Sequence, residues 1–188
     1  MNSLVIDMTH GGVKIAVSLA KKDETVYAYD IYNTLKSVDK KMLAVYNVKI
    51  IDLDYLKNLN GNLRVIYPVH LPLTKRDIEN YNPSLNYTFL THHEIIKELL
   101  KNWGNDIPKI EVTGVKGKTS CVFMLKEILI DKNPLILSSL GALLYENGVK
   151  KTLKQNISIT PANIKETIDL AYKIVCLLYT SDAADDLT

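Results

Sequence analysis

The sequence predicts an α/β protein made of two successive units, and three observations carry that prediction. Short apolar runs alternate with residues at helical spacing through the first half of the chain: Leu4 to Ile6, Thr25 to Tyr29 and Leu63 to Tyr67 read as strands, and Val13, Ala16, Val17 and Ala20 as a helix stripe. A glycine pair, Gly11-Gly12, stands at the carboxyl end of the first of those strands, which makes a β–α–β unit. Further on, the apolar run Ile107 to Val112 leads into a glycine- and lysine-bearing turn and then a helical pattern, Cys121 to Ile130.

Composition bounds the rest. A chain of 188 residues with 47% hydrophobic and 23% charged residues has apolar mass for a real core and an ordinary globular balance. A formal charge of +2 without any basic run argues against nucleic acid as the main partner. No stretch approaches a membrane span, and Met1 to Ile6 is too short for a secretory signal before Asp7 interrupts it. Two cysteines, Cys121 and Cys176, form neither a disulfide framework nor a metal spacing, so a reducing cytoplasm is the expected home.

In chain order, the strand Leu4 to Ile6, the helix from Val13 and the strand Thr25 to Tyr29, ending at Asp30, form a Rossmann-like start without the Gly-x-Gly-x-x-Gly dinucleotide fingerprint. Ala44 to Ile51 and Leu63 to Tyr67 read as further strands around a short helix, Asp52 to Leu59. Pro68 to Pro72 forms a stiff loop, and Thr74 to Asn86 is the least regular part. Thr91-x-x-Glu94 is a capping box opening a helix with an apolar face of Ile95, Ile96, Leu99, Leu100 and Trp103, ended by Gly104. The domain boundary is expected there, giving a first domain 1–104 and a second from 105. In the second, Leu135 to Leu137 is a strand, Asn147-Gly148 a hairpin turn, and Thr160-Pro161 opens a helix striped by Ile164, Ile168, Ala171 and Val175.

The chemistry concentrates at Glu111-Val112-Thr113-Gly114-Val115-Lys116-Gly117-Lys118-Thr119-Ser120. Strand, loop and helix in that order are what a phosphate-binding loop needs. Gly114 and Gly117 let the backbone approach a polyphosphate and turn N–H groups toward it. Val115 and Lys116 lie within the same loop, and Lys116 is either a phosphate contact or merely solvated. Lys118 is the expected catalytic counter-charge to the β/γ-phosphates of ATP, and the Thr119 hydroxyl the expected ligand to Mg²⁺. Ser120 is either a second hydroxyl at the phosphates or a helix cap. The general pattern has a glycine where Val112 stands, so the loop is the tighter form Gly-x-x-Gly-Lys-Thr-Ser.

That tighter loop resembles the Mur ligase superfamily. Four further segments, Asp7-Met8-Thr9-His10-Gly11-Gly12, Tyr32-Asn33-Thr34-Leu35, Pro68-Val69-His70-Leu71-Pro72 and Thr91-His92-His93-Glu94, together with the loop resemble its coenzyme F430 synthetase family. The resemblance runs from about Leu4 to about Val175 and implies a Rossmann-like domain followed by the first half of a Mur-ligase-type P-loop ATPase domain. It implies an ATP- and magnesium-dependent ligase that phosphorylates a substrate carboxylate. An internal carbon then displaces phosphate from the acyl phosphate and closes a carbocyclic ring on a nickel tetrapyrrole, the coenzyme of methyl-coenzyme M reductase. An amide-forming Mur ligase, a folylpolyglutamate-type ligase and an ATP-binding module that only switches are the alternatives. By the same resemblance, Ser139-Leu140-Gly141 and Thr160-Pro161 line the space between nucleotide, metal and substrate; a plain turn and a helix start are the other reading.

His10, Asn33 and His70 stand after strands, on the rim where open α/β sheets bind ligands. With Thr160 they are the expected substrate contacts, Asn33 ranking with Asp7 and Asp30 as a weaker candidate of the same rim. Contact with substrate carboxylates, a metal and satisfied loop histidines all remain open for His10 and His70. His92 and His93 fall in a helix first turn, where a neutral, hydrogen-bonding imidazole is expected. Finally, Cys176 to Asp185 resembles a translated sequencing-library adapter. Residues 105–175 are therefore expected to be a truncated ATP-binding domain, 176–188 an appended artefactual tail to be left out of fold reasoning, and the chain as written inactive.

Overall fold

The computed structural model describes residues 1–100, 108–171 and, as backbone only, 176–180. The chain divides into two compact units, Met1–Lys101 and Asn102–Thr188, a division three residues ahead of the boundary expected at residue 104.

In the first unit, five parallel strands among the described residues form one sheet: β1 (Asn2–Ile6), β2 (Thr25–Tyr29), β3 (Lys49–Ile50), β4 (Asn62–Tyr67) and β5 (Asn86–Thr91). Their order is β3-β2-β1-β4-β5, the doubly wound order in which the chain reverses direction between β1 and β4. The strands alternate with α1 (Val13–Ala20), α2 (Ser37–Val45), a 3-10 turn over Leu53–Asn58, α3 (Lys75–Glu79) and α4 (His92–Leu99). Side chains alternate across the sheet. Leu4, Ile6, Leu63 and Val65 pack on one face with Leu53, Leu56, Ile78 and Leu85. Val5 and Ile66, of the opposite parity, are fully buried too, as are Ile15, Leu19 and Ile95 of α1 and α4, which contact one another. Burial of both faces explains why these strands read as unbroken apolar runs.

A buried polar knot ties the amino edge of this sheet. Arg64, beside Ser3 in the β1–β4 register, donates to both Glu24 oxygens at 2.6 and 2.8 Å, to Glu98 of α4 at 2.9 Å and to the Ser3 hydroxyl at 3.3 Å. Burial alone would lower the guanidinium pKa, but its hydrogen bonds with Glu24 and Glu98 outweigh that and the net shift is upward.

Three expectations for this unit need correction. Ala44 to Ile51 is not a strand throughout: α2 runs through Val45, Asn47 turns with φ 55°, and only Lys49–Ile50 pairs with β2. Leu43 anchors α2, and of the run that follows only Val48 and Ile51 reach the core while Val45 and Ile50 stay exposed, so its apolar residues are not buried as one continuous strand would bury them. Thr74 to Asn86 is more regular than expected. Thr74 and Asp77 form a complete capping box that opens α3, and Asn82 binds the Leu56 and Leu59 carbonyls through its amide. The edge strand β5 was not anticipated, although Asn86-Tyr87-Thr88-Phe89-Leu90-Thr91 has the β-branched and aromatic residues of one.

The second unit joins β6 (Lys109–Val112), α5 (Lys118–Ile128), β7 (Pro134–Ser138), β8 (Gly141–Glu146), β9 (Val149–Gln155), α6 (Pro161–Leu170) and β10 (Cys176–Thr180). The strand order is β6-β10-β7-β8-β9; β10 runs parallel to both β6 and β7, and β7-β8-β9 is antiparallel. Asn147 and Gly148, at φ 52° and 78°, make the expected tight hairpin between β8 and β9. Ile136 packs with Val122 of α5 on one face, and Leu135 and Leu137 with Ile157 and Ile164 on the other.

The first residues of the expected tail, Cys176–Thr180, form β10. Those residues occupy the slot between β6 and β7. An extended run there satisfies the ladder donors and acceptors that both strands present, whatever the origin of its codons. Residues 181–188, like Trp103, Gly104, Ile107 and Val175, lie outside the described residues.

Candidate functional site

The second unit builds its loop from the backbone up. β6 ends at Val112, Gly114 turns at φ 137° and Gly117 at φ 80°, conformations that glycine adopts without a Cβ penalty. Gly117 is the N-cap of α5 and offers no side-chain cap, and the first-turn N–H groups of α5 point along the positive end of its dipole. Lys118 bends back along the loop and donates from Nζ to the Gly114 carbonyl at 2.6 Å, which keeps the ammonium within the loop. Val115 is 85% exposed and Lys116 exposed, so both stand outside the core. Thr119 is half-buried. Ser120 lies inside α5 and is not its cap, which removes one of its two readings.

Ser138, the last residue of β7, is 0% exposed and its Oγ has no hydrogen-bond partner among the described residues. By strand parity it shares the face of Ile136, the face covered by α5. A buried hydroxyl without a partner costs stability, so it marks a place where a ligand group would be welcome. No motif pointed to Ser138; its signal is tertiary. Thr160 accepts the Asn163 amide at 3.3 Å as the N-cap of α6, the plainer of its two expected roles. Ser139 and Leu140 are exposed in the turn before β8.

The first unit gathers its polar groups at the carboxyl ends of β1, β2 and β4, on either side of the point where strand order reverses. Asp7 follows β1, is 0% exposed, and has φ 68°, an uncommon conformation for a residue with a Cβ. Its Oδ1 accepts the Thr9 amide at 2.8 Å, and its Oδ2 lies 2.6 Å from His10 Nδ1. The turn fits only a glycine at position 12, where a Cβ would stand 2.0 Å from the Asp7 carbonyl oxygen. Thr9 and Thr34 share a 2.6 Å hydroxyl hydrogen bond, and Asp30 accepts from Thr34 and from the Leu35 amide, at 3.3 and 2.7 Å. The Tyr32 ring meets His10 edge-on, centroids 6.5 Å apart.

His10 and the Asn33 turn therefore share one rim; Asn33, at φ 52°, is exposed. His70 is exposed in the turn after β4, the other neighbour of β1. His92 is buried behind this rim. Its Nε2 hydrogen-bonds the Ile6 carbonyl at 3.2 Å, and burial pushes its pKa below the ordinary histidine value, as expected for a neutral imidazole there. Sequence reasoning ranked Asp7 low and missed the Asp7–His10 pair; the Asp-x-x-His spacing after a strand was the available signal. Among the described residues, no three His, Cys, Asp or Glu side chains gather as a metal site, and no helix is long and apolar enough to cross a membrane.

A doubly wound parallel unit, followed by a unit whose edge strand turns through Gly-x-x-Gly-Lys-Thr-Ser into a helix, defines the chain as a two-unit α/β protein. In sequence it is similar to coenzyme F(430) synthetases. It is 30% identical over 174 residues to the one from Methanosarcina acetivorans, covering 85% of this chain and 34% of that protein. It is 28% identical over 137 residues to the one from Methanocaldococcus jannaschii, covering 69% and 31%. The chain thus spans about a third of the length of the curated relatives it matches. Solved structures with a similar path include the UDP-N-acetylmuramate:L-alanyl-gamma-D-glutamyl-meso-diaminopimelate ligase from Neisseria meningitides (TM-score 0.43, 14% identity, 96% of this chain and 52% of that one). Another is a murein peptide ligase from Psychrobacter arcticus (TM-score 0.42, 15% identity, 97% and 38%). No protein-family model matches the chain.

Proposed function

We propose that this chain forms the substrate-side and phosphate-loop portions of an ATP-dependent ligase that closes the carbocyclic ring of the nickel tetrapyrrole coenzyme F430. The observation that carries the reading is the uncapped N-terminus of α5 behind Gly117 and Lys118, in a chain similar to coenzyme F(430) synthetases along most of its length.

Residues Gly114 to Ser120 would hold the phosphates of ATP, with Thr119 as a ligand to magnesium; backbone N–H groups at a helix N-terminus, an ammonium and hydroxyls suit an anion and a hard cation. ATP, when bound, would supply a phosphoryl group that makes a substrate carboxylate an acyl phosphate, with ADP released, so that phosphate can leave when the internal nucleophile attacks the acyl carbon. Lys118 neutralises charge on the transferring group, and the loop backbone orients it. His10, Asn33 and His70 on the first unit's rim are that unit's proposed contacts to a carboxylate-rich substrate; Thr160 is a proposed substrate contact of the second unit, considered by itself. The cytoplasm is the proposed setting.

The test is Lys118→Ala in a protein of the relatives' full length. Loss of about 10³-fold or more in ATP-dependent ring closure is expected, with the fold unchanged by circular dichroism. Near-normal turnover would remove Lys118 from the assignment. Titration with the nickel seco-precursor tests the substrate; tight binding of a UDP-linked or folate substrate in its place would establish the amide-forming alternative.

A further inference from the structure

We propose that His10 is an axial ligand, through Nε2, to a metal that the substrate itself carries, with Asp7 as the residue that positions it. The inference rests on the reading of the substrate as a nickel tetrapyrrole and says how the rim recognises it.

Three observations lead there. The first is the tautomer. Asp7 is fully buried and its Oδ2 lies 2.6 Å from His10 Nδ1, so the carboxylate accepts a hydrogen bond from Nδ1–H. The neutral ring then carries its lone pair on Nε2. A histidine that donates one ring nitrogen to a carboxylate while the other faces outward is the usual arrangement of a metal-ligating imidazole.

The second is rigidity. Asp7 is held by the Thr9 amide and by the turn that Gly12 makes possible. Tyr32 stands edge-on to the imidazole, and His92 binds the Ile6 carbonyl immediately before Asp7. The His10 side chain is nonetheless 65% exposed, so an ordered ring is offered at the rim. A hydrogen bond that served only to close a turn would not require a fully buried carboxylate in a strained conformation.

The third is number. The described residues hold no group of three or more His, Cys, Asp or Glu side chains that could bind a metal. One imidazole does not build a metal site, but it does complete one whose equatorial ligands arrive with the ligand. A metal in the plane of a tetrapyrrole leaves axial positions for such a donor. The bond is a coordinate one: Nε2 donates its lone pair and nickel keeps its oxidation state.

The experiment uses the 188-residue chain with the nickel(II) seco-precursor and its metal-free counterpart, read by visible absorption and proton NMR. Imidazole protons on axially ligated, paramagnetic Ni(II) move far outside the ordinary spectrum. The wild-type complex is expected to show such ring signals and a shifted visible band. Both should vanish in His10→Ala and return when free imidazole is added. Asp7→Asn can keep a hydrogen bond to the ring but reverses the tautomer, so it should weaken binding of the nickel form by about 10–100-fold while leaving the metal-free form unaffected. If the nickel compound binds the wild type but the ring signals are absent, or persist in His10→Ala, axial ligation is overturned while the substrate reading stands. If neither form binds, the substrate reading fails and takes this inference with it.

Discussion

His92 shows what a single buried side chain contributes. Desolvation lowers its pKa from the ordinary value of 6.5, with the hydrogen bond to the Ile6 carbonyl acting in the opposite sense. A base whose folded pKa is depressed binds fewer protons folded than unfolded, so its contribution is intact above pH 6.5 and is lost as pH falls below it toward the folded value. His92→Gln retains a donor without a titration. The expected outcome is that the acid-side loss of denaturant stability beginning near pH 6.5 becomes shallower in that variant. An unchanged pH profile would show that other groups carry it. Ser138 tests the opposite case, a buried hydroxyl with no partner among the described residues. Ser138→Ala is expected to leave stability equal or slightly higher, because no hydrogen bond is lost and an unsatisfied group is removed. The same change should weaken Mg-ATP binding if that hydroxyl serves the phosphate loop, which calorimetry would measure.

At the level of elements, the capping boxes and turns were readable because they are local. Thr91 accepts the Glu94 amide while Glu94 accepts the Thr91 amide and hydroxyl, as the Thr-x-x-Glu spacing implied. Thr91→Ala is expected to lower the stability of the first unit by about 1 kcal/mol. Thr74-x-x-Asp77 has the same geometry with the shorter acid and went unrecognised because the box is usually sought with Glu or Gln. The Asp7 turn is a harder case. Gly12→Ala would push a Cβ into the Asp7 carbonyl at 2.0 Å, so a loss of about 1–3 kcal/mol is expected, together with loss of the ordered His10 ring. Equilibrium unfolding and the His10 ring resonances in NMR check the two halves of that statement.

The whole molecule joins two units of unequal packing. The first buries both faces of its sheet. The second places its loop strand, β6, at a sheet edge, and α5 leaves Met124 and Ile128 exposed. Amide exchange is therefore expected to be slower in β1, β2 and β4 than in β6 and α5, since local opening costs less where fewer apolar contacts break. Ending the chain at Val175 removes β10 and leaves β6 and β7 without the ladder that joins them. Protection in β6 and β7 should then fall while the first unit is unchanged. Unchanged protection in β6 would show that Cys176–Thr180 does not serve as the strand that joins β6 and β7.

The sequence by itself determined the α/β class, the strand–loop–helix around Gly114 to Ser120, α1, the hairpin at Asn147-Gly148, and the capping box at Thr91. All are set by residues within one or two turns of each other, where dihedral preference and short hydrogen bonds dominate. Only the tertiary structure decided that β5 pairs with β4, that α2 replaces most of an apolar run, that Ser138 is stranded without a partner, and that Asp7 is buried against His10. Those outcomes depend on which surfaces meet. An apolar run becomes a strand only where a neighbour offers a ladder, and a carboxylate becomes a positioning group only where the fold excludes water from it.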